Sequence, residues 1–153
     1  MKKFFLRAAA LLLALVLAGC GTASPAESVP TEADKTDDNC RVFYEIFVGS
    51  FADSDGDGTG DLNGILRHLD YLNDGNLLSD TSLGVQGLWL TPIFASPSYH
   101  KYDATDYYRI DSDFGTEDDL RALLDACHAR NVKVILDLVI NHTARNHEWF
   151  QSF

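Results

Sequence analysis

Residues 132–140 (VKVILDLVI) form a nearly all-apolar run broken by one acid, Asp137, and followed at once by Asn141 and His142. Such a run reads as a strand buried on both faces. Strands of that kind belong to parallel sheets covered by helices. In parallel α/β barrels the C-terminal end of a strand is where polar groups gather for chemistry. The chain is therefore expected to be α/β and to present Asp137, Asn141 and His142 at a strand end.

The rest of the chain supplies partners for that strand. Residues 41–51 (RVFYEIFVGSF) are rich in aromatic and β-branched side chains and read as a first strand. Leu62, Ile65, Leu66, Leu69 and Leu72 recur at helical spacing, so 61–73 reads as an amphipathic helix capped by Asp61. Residues 84–90 (GVQGLWL) read as a second strand stopped by Thr91-Pro92, and 93–115 as a long loop holding Tyr99, Tyr102, Tyr107 and Tyr108. Thr116 and Asp119 have the spacing of a capping box, and Leu120, Leu123, Leu124 and Cys127 mark a second helix behind it. The order is β-α-β-α-β, with parallel strands and right-handed crossovers. A closed barrel needs eight strands and about 250 residues. The expectation is the first part of a TIM (β/α)8 barrel, truncated, with a small open sheet as the other architecture compatible with the pattern.

The first 39 residues stand apart. Lys2, Lys3 and Arg7 precede an apolar stretch too short to span a bilayer, which ends Leu17-Ala18-Gly19-Cys20. This resembles a bacterial lipobox: 1–19 is expected to be a lipoprotein signal peptide and Cys20 the lipidated residue. A single lipid anchors a chain to a membrane surface without spanning it, so the expected location is extracytoplasmic. Residues 20–39, rich in Ser, Thr, Pro and acids, read as a disordered tether, and 40–153 as the folded domain. Without Lys2, Lys3 and Arg7, the 12 basic residues fall to 9 against 23 acids, a formal charge of −14. That balance disfavours nucleic acid and suits a neutral ligand or a cation. Cys40 and Cys127 are either a disulfide pair or free thiols; Cys127 falls on an apolar helix stripe, which favours a buried thiol.

Two loops carry candidate chemistry. In residues 53–61 (DSDGDGTGD), Asp53, Asp55, Asp57 and Asp61 offer carboxylate oxygens and Thr59 a backbone oxygen, with glycines between them. An oxygen-only set suits Ca²⁺, or Mg²⁺ as the alternative. An EF-hand needs a bidentate Glu at loop position 12, which here is Gly64, so that reading fails. In residues 96–108, Tyr, His and Asp side chains are interleaved. Aromatic faces cover the C–H surface of sugars while planar polar groups bond the hydroxyls, and packing of a surface loop is the plainer alternative. Asp137, inside an apolar run, needs a partner, most naturally an Arg from a neighbouring strand, and no such Arg is evident.

Taken together, these segments resemble glycoside hydrolase family 13, the α-amylase family. DLVINH at 137–142 is similar to its first conserved region, Asp-x-Val-x-Asn-His. SPSYHKYDATDYYRIDSDFGT at 96–116 is similar to its loop after strand two, and FYEIFVGSFADSDGDGTGDLNGI at 43–65 to its first strand, metal loop and first helix. GLWLTPIF at 87–94 resembles its second strand. The resemblance implies that Tyr102 stacks on the sugar just before the cleaved bond, that His142 bonds its hydroxyls, and that His100 also touches substrate. Asp103 and Asp137 orient the site through a downstream arginine. The aspartates of 53–61 hold the metal, and Asn141 belongs to the site architecture, with ligation of calcium as its other role in the family. Lys101 departs from the glycine often found there.

The family is retaining: one carboxylate attacks the anomeric carbon while a carboxylic acid protonates the leaving oxygen. The resemblance places these acids after strands four and five, with a second Asp after strand seven, all beyond Phe153. The expectation is an N-terminal fragment of a lipid-anchored α-glucan hydrolase or transglycosylase, inactive by itself. The alternatives are a calcium-dependent carbohydrate-binding lipoprotein without catalysis, and an open-sheet domain using the loop for metal only.

Overall fold

The computed structural model describes residues 41–152. The expectations for the signal segment, Cys20, the tether and Cys40 lie outside the described residues. The elements in chain order are β1 (Phe43–Ile46), α1 (Val48–Phe51), α2 (Leu62–Arg67), α3 (Leu69–Leu72), β2 (Gly87–Leu90), β3 (Phe94–Ala95), β4 (Asp106–Ile110), α4 (Glu117–Ala129), β5 (Lys133–Leu136) and α5 (Glu148–Gln151).

β1, β2 and β5 form one parallel sheet in the order β1-β2-β5, with Ile46, Leu90 and Leu136 aligned at its end. The chain is α/β with crossover helices, as the periodicity predicts, and the sheet does not close into a barrel. Side chains alternate strictly. Ile46, Leu88 and Leu90 are buried, whereas Glu45, Trp89 and Ile135 point to the opposite, exposed face. The buried face packs on Leu62, Ile65, Leu69 and Leu72 of α2 and α3 and on Leu123 and Cys127 of α4. Each fully buried leucine there contributes about 1.5–3 kcal/mol.

The third strand departs from its expectation of burial on both faces. β5 runs only from Lys133 to Leu136, and Ile135 stays 46% exposed. Among the described residues the helices pack on one face of the sheet, and β5 has a neighbour on one side only. The last ladder bond is Asp137 N–H to Leu90 O, after which Leu138 and Ile140 turn outward.

The first strand is also shorter than its composition suggests. Beyond Ile46 the chain coils into α1, which drives Val48 into the core. Apolar and aromatic content reports burial here, not extension. The first helix divides at His68, whose N–H lies 3.1 Å from Ile65 O and 3.3 Å from Gly64 O, tightening the turn, and whose Nδ1 sits 2.9 Å from Gly64 O. Residues 93–115 are not all loop: β3 and β4 pair antiparallel through a bulge, Phe94 facing Ile110 and Ala95 facing Asp106.

α4 begins with the expected capping box. Thr116 Oγ1 accepts from Asp119 N–H at 3.3 Å, and Asp119 accepts from Thr116 N–H at 2.8 Å. Cys127 on this helix is a buried free thiol, pushed up to about 11 by burial.

Candidate functional site

Because β1, β2 and β5 are parallel, the loops that follow them leave from one end of the sheet. The loop after β2 folds back so that Tyr102 reaches the end of β5. Its hydroxyl donates to Asp137 Oδ2 at 2.6 Å, while Trp89 Nε1 donates to Oδ1 at 3.0 Å. Among the described residues the partners of Asp137 are two neutral donors on the exposed face of the sheet. The bond to Asp137 pushes the Tyr102 hydroxyl up to about 12, with burial and the charges of Asp137 and Glu45 adding to it.

Asp103, next in sequence, accepts from Ser96 Oγ at 2.7 Å and from Ser98 Oγ. Burial works against its ionisation, but the bonds from Ser98 and Ser96, with His100 nearby, hold its carboxyl below the usual range. His100 Nδ1 accepts the Tyr102 N–H at 3.1 Å. Phe47, Tyr99, His100 and Tyr102 follow one another in edge and tilted ring contacts of 5.3–6.2 Å, forming an aromatic wall.

Lys101 lies beneath that wall. It has φ 62°, the left-handed region, and it is buried. Its Nζ sits 3.0 Å from Asp111 and 2.9 Å from Asp113, and 5.2 Å over the Phe114 ring. A glycine is the ordinary occupant of such a backbone; here two carboxylates and a ring face hold a lysine in it. Burial lowers the ammonium's proton affinity, but the two aspartates more than offset this and raise it.

The loop after β5 is tied to the loop after β2. Tyr107 Oη lies 2.7 Å from Val139 O and 3.0 Å from His142 O, and Ala144 N–H reaches Ala104 O. Tyr107 stacks on Trp149 at 5.6 Å with 16° between planes. Asn141 and His142 are exposed, Asn141 Nδ2 lying 3.3 Å from His142 Nδ1. They line an apolar concavity of about 700 Å³ with Tyr107, Leu138, Ile140 and Trp149; Tyr102, Asp103 and Asp137 stand outside it.

In the aspartate loop, carboxylate oxygens of Asp53, Asp55 and Asp61 come within 4.8 Å of one another. The side chain of Asp57 is not in that cluster; its Oδ1 accepts the Thr59 N–H at 2.7 Å. Asp53 gathers the N–H groups of Asp55, Gly56 and Gly58, and the bonds from Gly56 and Gly58 hold its carboxyl below the usual range. Asp61 is buried and accepts from Ser54 N–H and Gly64 N–H, both at 2.7 Å. Three converging carboxylates repel unless a cation sits among them, and their all-oxygen chemistry fits Ca²⁺ or Mg²⁺.

Nothing in the sequence marks Trp89, Ser96 or Ser98 as site residues, and Tyr107, within the interleaved loop, shows no sign there of its bonds to Val139 O and His142 O. Only the strand register reveals that Trp89 and Asp137 share a face.

The α-amylase catalytic-domain model matches residues 45–153. The chain belongs to the α-amylase family. It is 52% identical over 111 residues to Alpha-amylase 3 of Dictyoglomus thermophilum, covering 72% of this chain and 21% of that protein. It is 49% identical over 109 residues to Alpha-amylase SusG of Bacteroides thetaiotaomicron, covering 71% and 15%. The crystal structure of an α-amylase from H. orenii superposes with a TM-score of 0.70 at 60% identity, over 71% of this chain and 22% of that one. The chain thus spans 15–22% of the length of these relatives, and its parallel sheet is one part of the barrel of the α-amylase family.

Proposed function

We propose that this chain forms the sugar-gripping wall and the cation loop of an α-glucan glycoside hydrolase of the α-amylase type. The observation that carries this reading is the Tyr102–Asp137 bond, which brings the aromatic face after β2 onto the strand end bearing Asn141 and His142. Tyr102 offers a half-exposed ring for the C–H face of a glucose unit, and His142 an exposed imidazole for its hydroxyls. His100 extends the wall. Asp103 and Asp137 hold the loops in place through Ser96, Ser98, Trp89 and Tyr102. A cation held by Asp53, Asp55 and Asp61, with Asp57 and the Thr59 carbonyl next to them in the loop, neutralises that loop. Asn141 is assigned to site architecture.

A retaining mechanism needs a nucleophilic carboxylate and an acid about 5 Å apart. None of the acids described above is assigned to either role; both are assigned to the whole enzyme outside these 153 residues. By the same reading Cys20 carries the lipid that fixes the enzyme to the outer side of the bacterial cell membrane. The test is hydrolysis of maltoheptaose by the product of the complete reading frame, with the anomer of the new reducing end followed by proton NMR. The α anomer is expected first. Binding without turnover would favour the non-catalytic calcium-dependent lectin reading, and a β anomer would remove the retaining assignment. The 153-residue chain alone is expected to hydrolyse nothing.

A further inference from the structure

We propose that Lys101 is a positioning residue for sugar binding: its buried ammonium, clamped between Asp111 and Asp113, fixes the left-handed turn that presents His100, Tyr102 and Asp103. The proposal rests on the assignment of that loop to substrate.

Two features make Lys101 unusual. A lysine is among the residues least often buried, and a side chain with a Cβ is disfavoured at φ 62°. Each feature is costly alone, and together they persist only if the surroundings over-determine them. The surroundings do so. Asp111 is itself buried; one of its oxygens accepts the Ser96 N–H at 2.9 Å and lies 3.0 Å from Lys101 Nζ, and the other accepts the Asp113 N–H at 3.1 Å. Ser96 in turn donates through Oγ to Asp103 at 2.7 Å. The ammonium thus completes a continuous set of bonds running Lys101–Asp111–Ser96–Asp103. Both ends of the segment 96–103 are held to the residues that follow β4. The Phe114 ring closes the remaining side of the ammonium.

The consequence is specific. A glycine at 101 satisfies the backbone but contributes no charge. A methionine fills the space but strands two carboxylates. If the lysine only relieved a local packing need, either substitution would shift thermal stability and leave sugar handling untouched at temperatures where the protein is folded. If it sets the loop, both substitutions move His100 and Tyr102 off the sugar.

The experiment compares Lys101→Gly, Lys101→Met and Lys101→Arg in the full-length enzyme, with kcat and KM on maltoheptaose measured well below each variant's unfolding midpoint. The expected result is a fall in kcat/KM of about tenfold or more for Gly and Met, the scale expected when a substrate-positioning group is misplaced, with substantial recovery in Arg. Asp113→Asn, at a half-exposed site, guards against a variant that fails to fold and is expected to shift the same parameters less. Wild-type kinetics in the Gly or Met variant overturns the proposal. Should the wild-type enzyme leave α-glucans intact, the substrate assignment fails separately. Hydrogen exchange at the Ser96 and Tyr102 amides then decides: faster exchange in Lys101→Met supports the clamp, and unchanged exchange overturns it.

Discussion

The Tyr102 hydroxyl meets Asp137 at 2.6 Å, although the two residues are 35 positions apart and belong to loops from different strands. The bond does two jobs. It satisfies an acid that the sequence leaves without a visible partner, and it docks an aromatic ring on the strand end. Its geometry also makes the coupling of structure to pH calculable in direction. The tyrosine's proton is held up to about 12 in the folded chain against an ordinary value of 10.0. A raised folded value means that the contribution is complete below pH 10 and is lost as the pH climbs from 10 to about 12. The unfolding free energy of the full-length enzyme should fall across that window, and the fall should be smaller in Tyr102→Phe. Urea titrations at stepped pH measure it. Equal slopes for both proteins would show that the bond carries no weight.

Asp61 gives a second prediction, because one side chain serves the cation loop and the start of α2. Its Oδ1 accepts the Gly64 N–H at 2.7 Å, and its carboxylate belongs to the cluster with Asp53 and Asp55. Asn is as good an N-cap as Asp but brings no charge. Asp61→Asn keeps the Gly64 cap but gives up the acceptor for the Ser54 N–H, so it should lose part of the stability measured in chelator and most of any stabilisation by added Ca²⁺. Asp61→Ala should lose both, with about 1 kcal/mol from the cap alone. Thermal midpoints with EDTA and with millimolar Ca²⁺ separate the two effects.

What could be read in advance follows a physical divide. Local signals were reliable: the Thr116–Asp119 box, the Asp61 cap and the leucine spacing of 62–72 each depend on neighbours within a turn or two. Strand ends were not. The run 132–140 is apolar apart from Lys133 and Asp137, but pairing stops at Leu136 because the neighbouring strand ends at Leu90, a fact that belongs to another segment. β3 and β4 show no period in the sequence because an antiparallel pair with a bulge leaves too few residues in phase. The Trp89–Asp137 contact needs the register of β2 against β5, which no single stretch encodes.

Gly64 supplies a third prediction. A Cβ there would stand 1.9 Å from Ala52 O, a backbone atom that cannot step aside without moving the end of α1 or the aspartate loop. Gly64→Ala raises helix propensity, yet it should destabilise by about 3 kcal/mol, the upper end of the overpacking range. It should also weaken Ca²⁺ binding, since Ala52 O accepts the Asp61 N–H. Isothermal titration with Ca²⁺, alongside urea unfolding, tests both consequences; a stabilised variant would contradict the close approach.

The exposed face sets a fourth expectation, for residues 40–153 produced alone. Leu138, Ile140, Trp149 and Phe150 are all at least 48% exposed, and Ile135 lies beside them on an edge strand. Apolar side chains on an unpaired strand edge template association with another chain. The isolated segment should aggregate, or should bind 8-anilinonaphthalene sulfonate with a broad thermal transition. Replacing Leu138 and Ile140 with lysine should raise the soluble fraction without restoring a sharp transition, because charge blocks association but adds no packing. A soluble monomer with one cooperative unfolding step would show that the single helix-covered face is enough to hold the sheet.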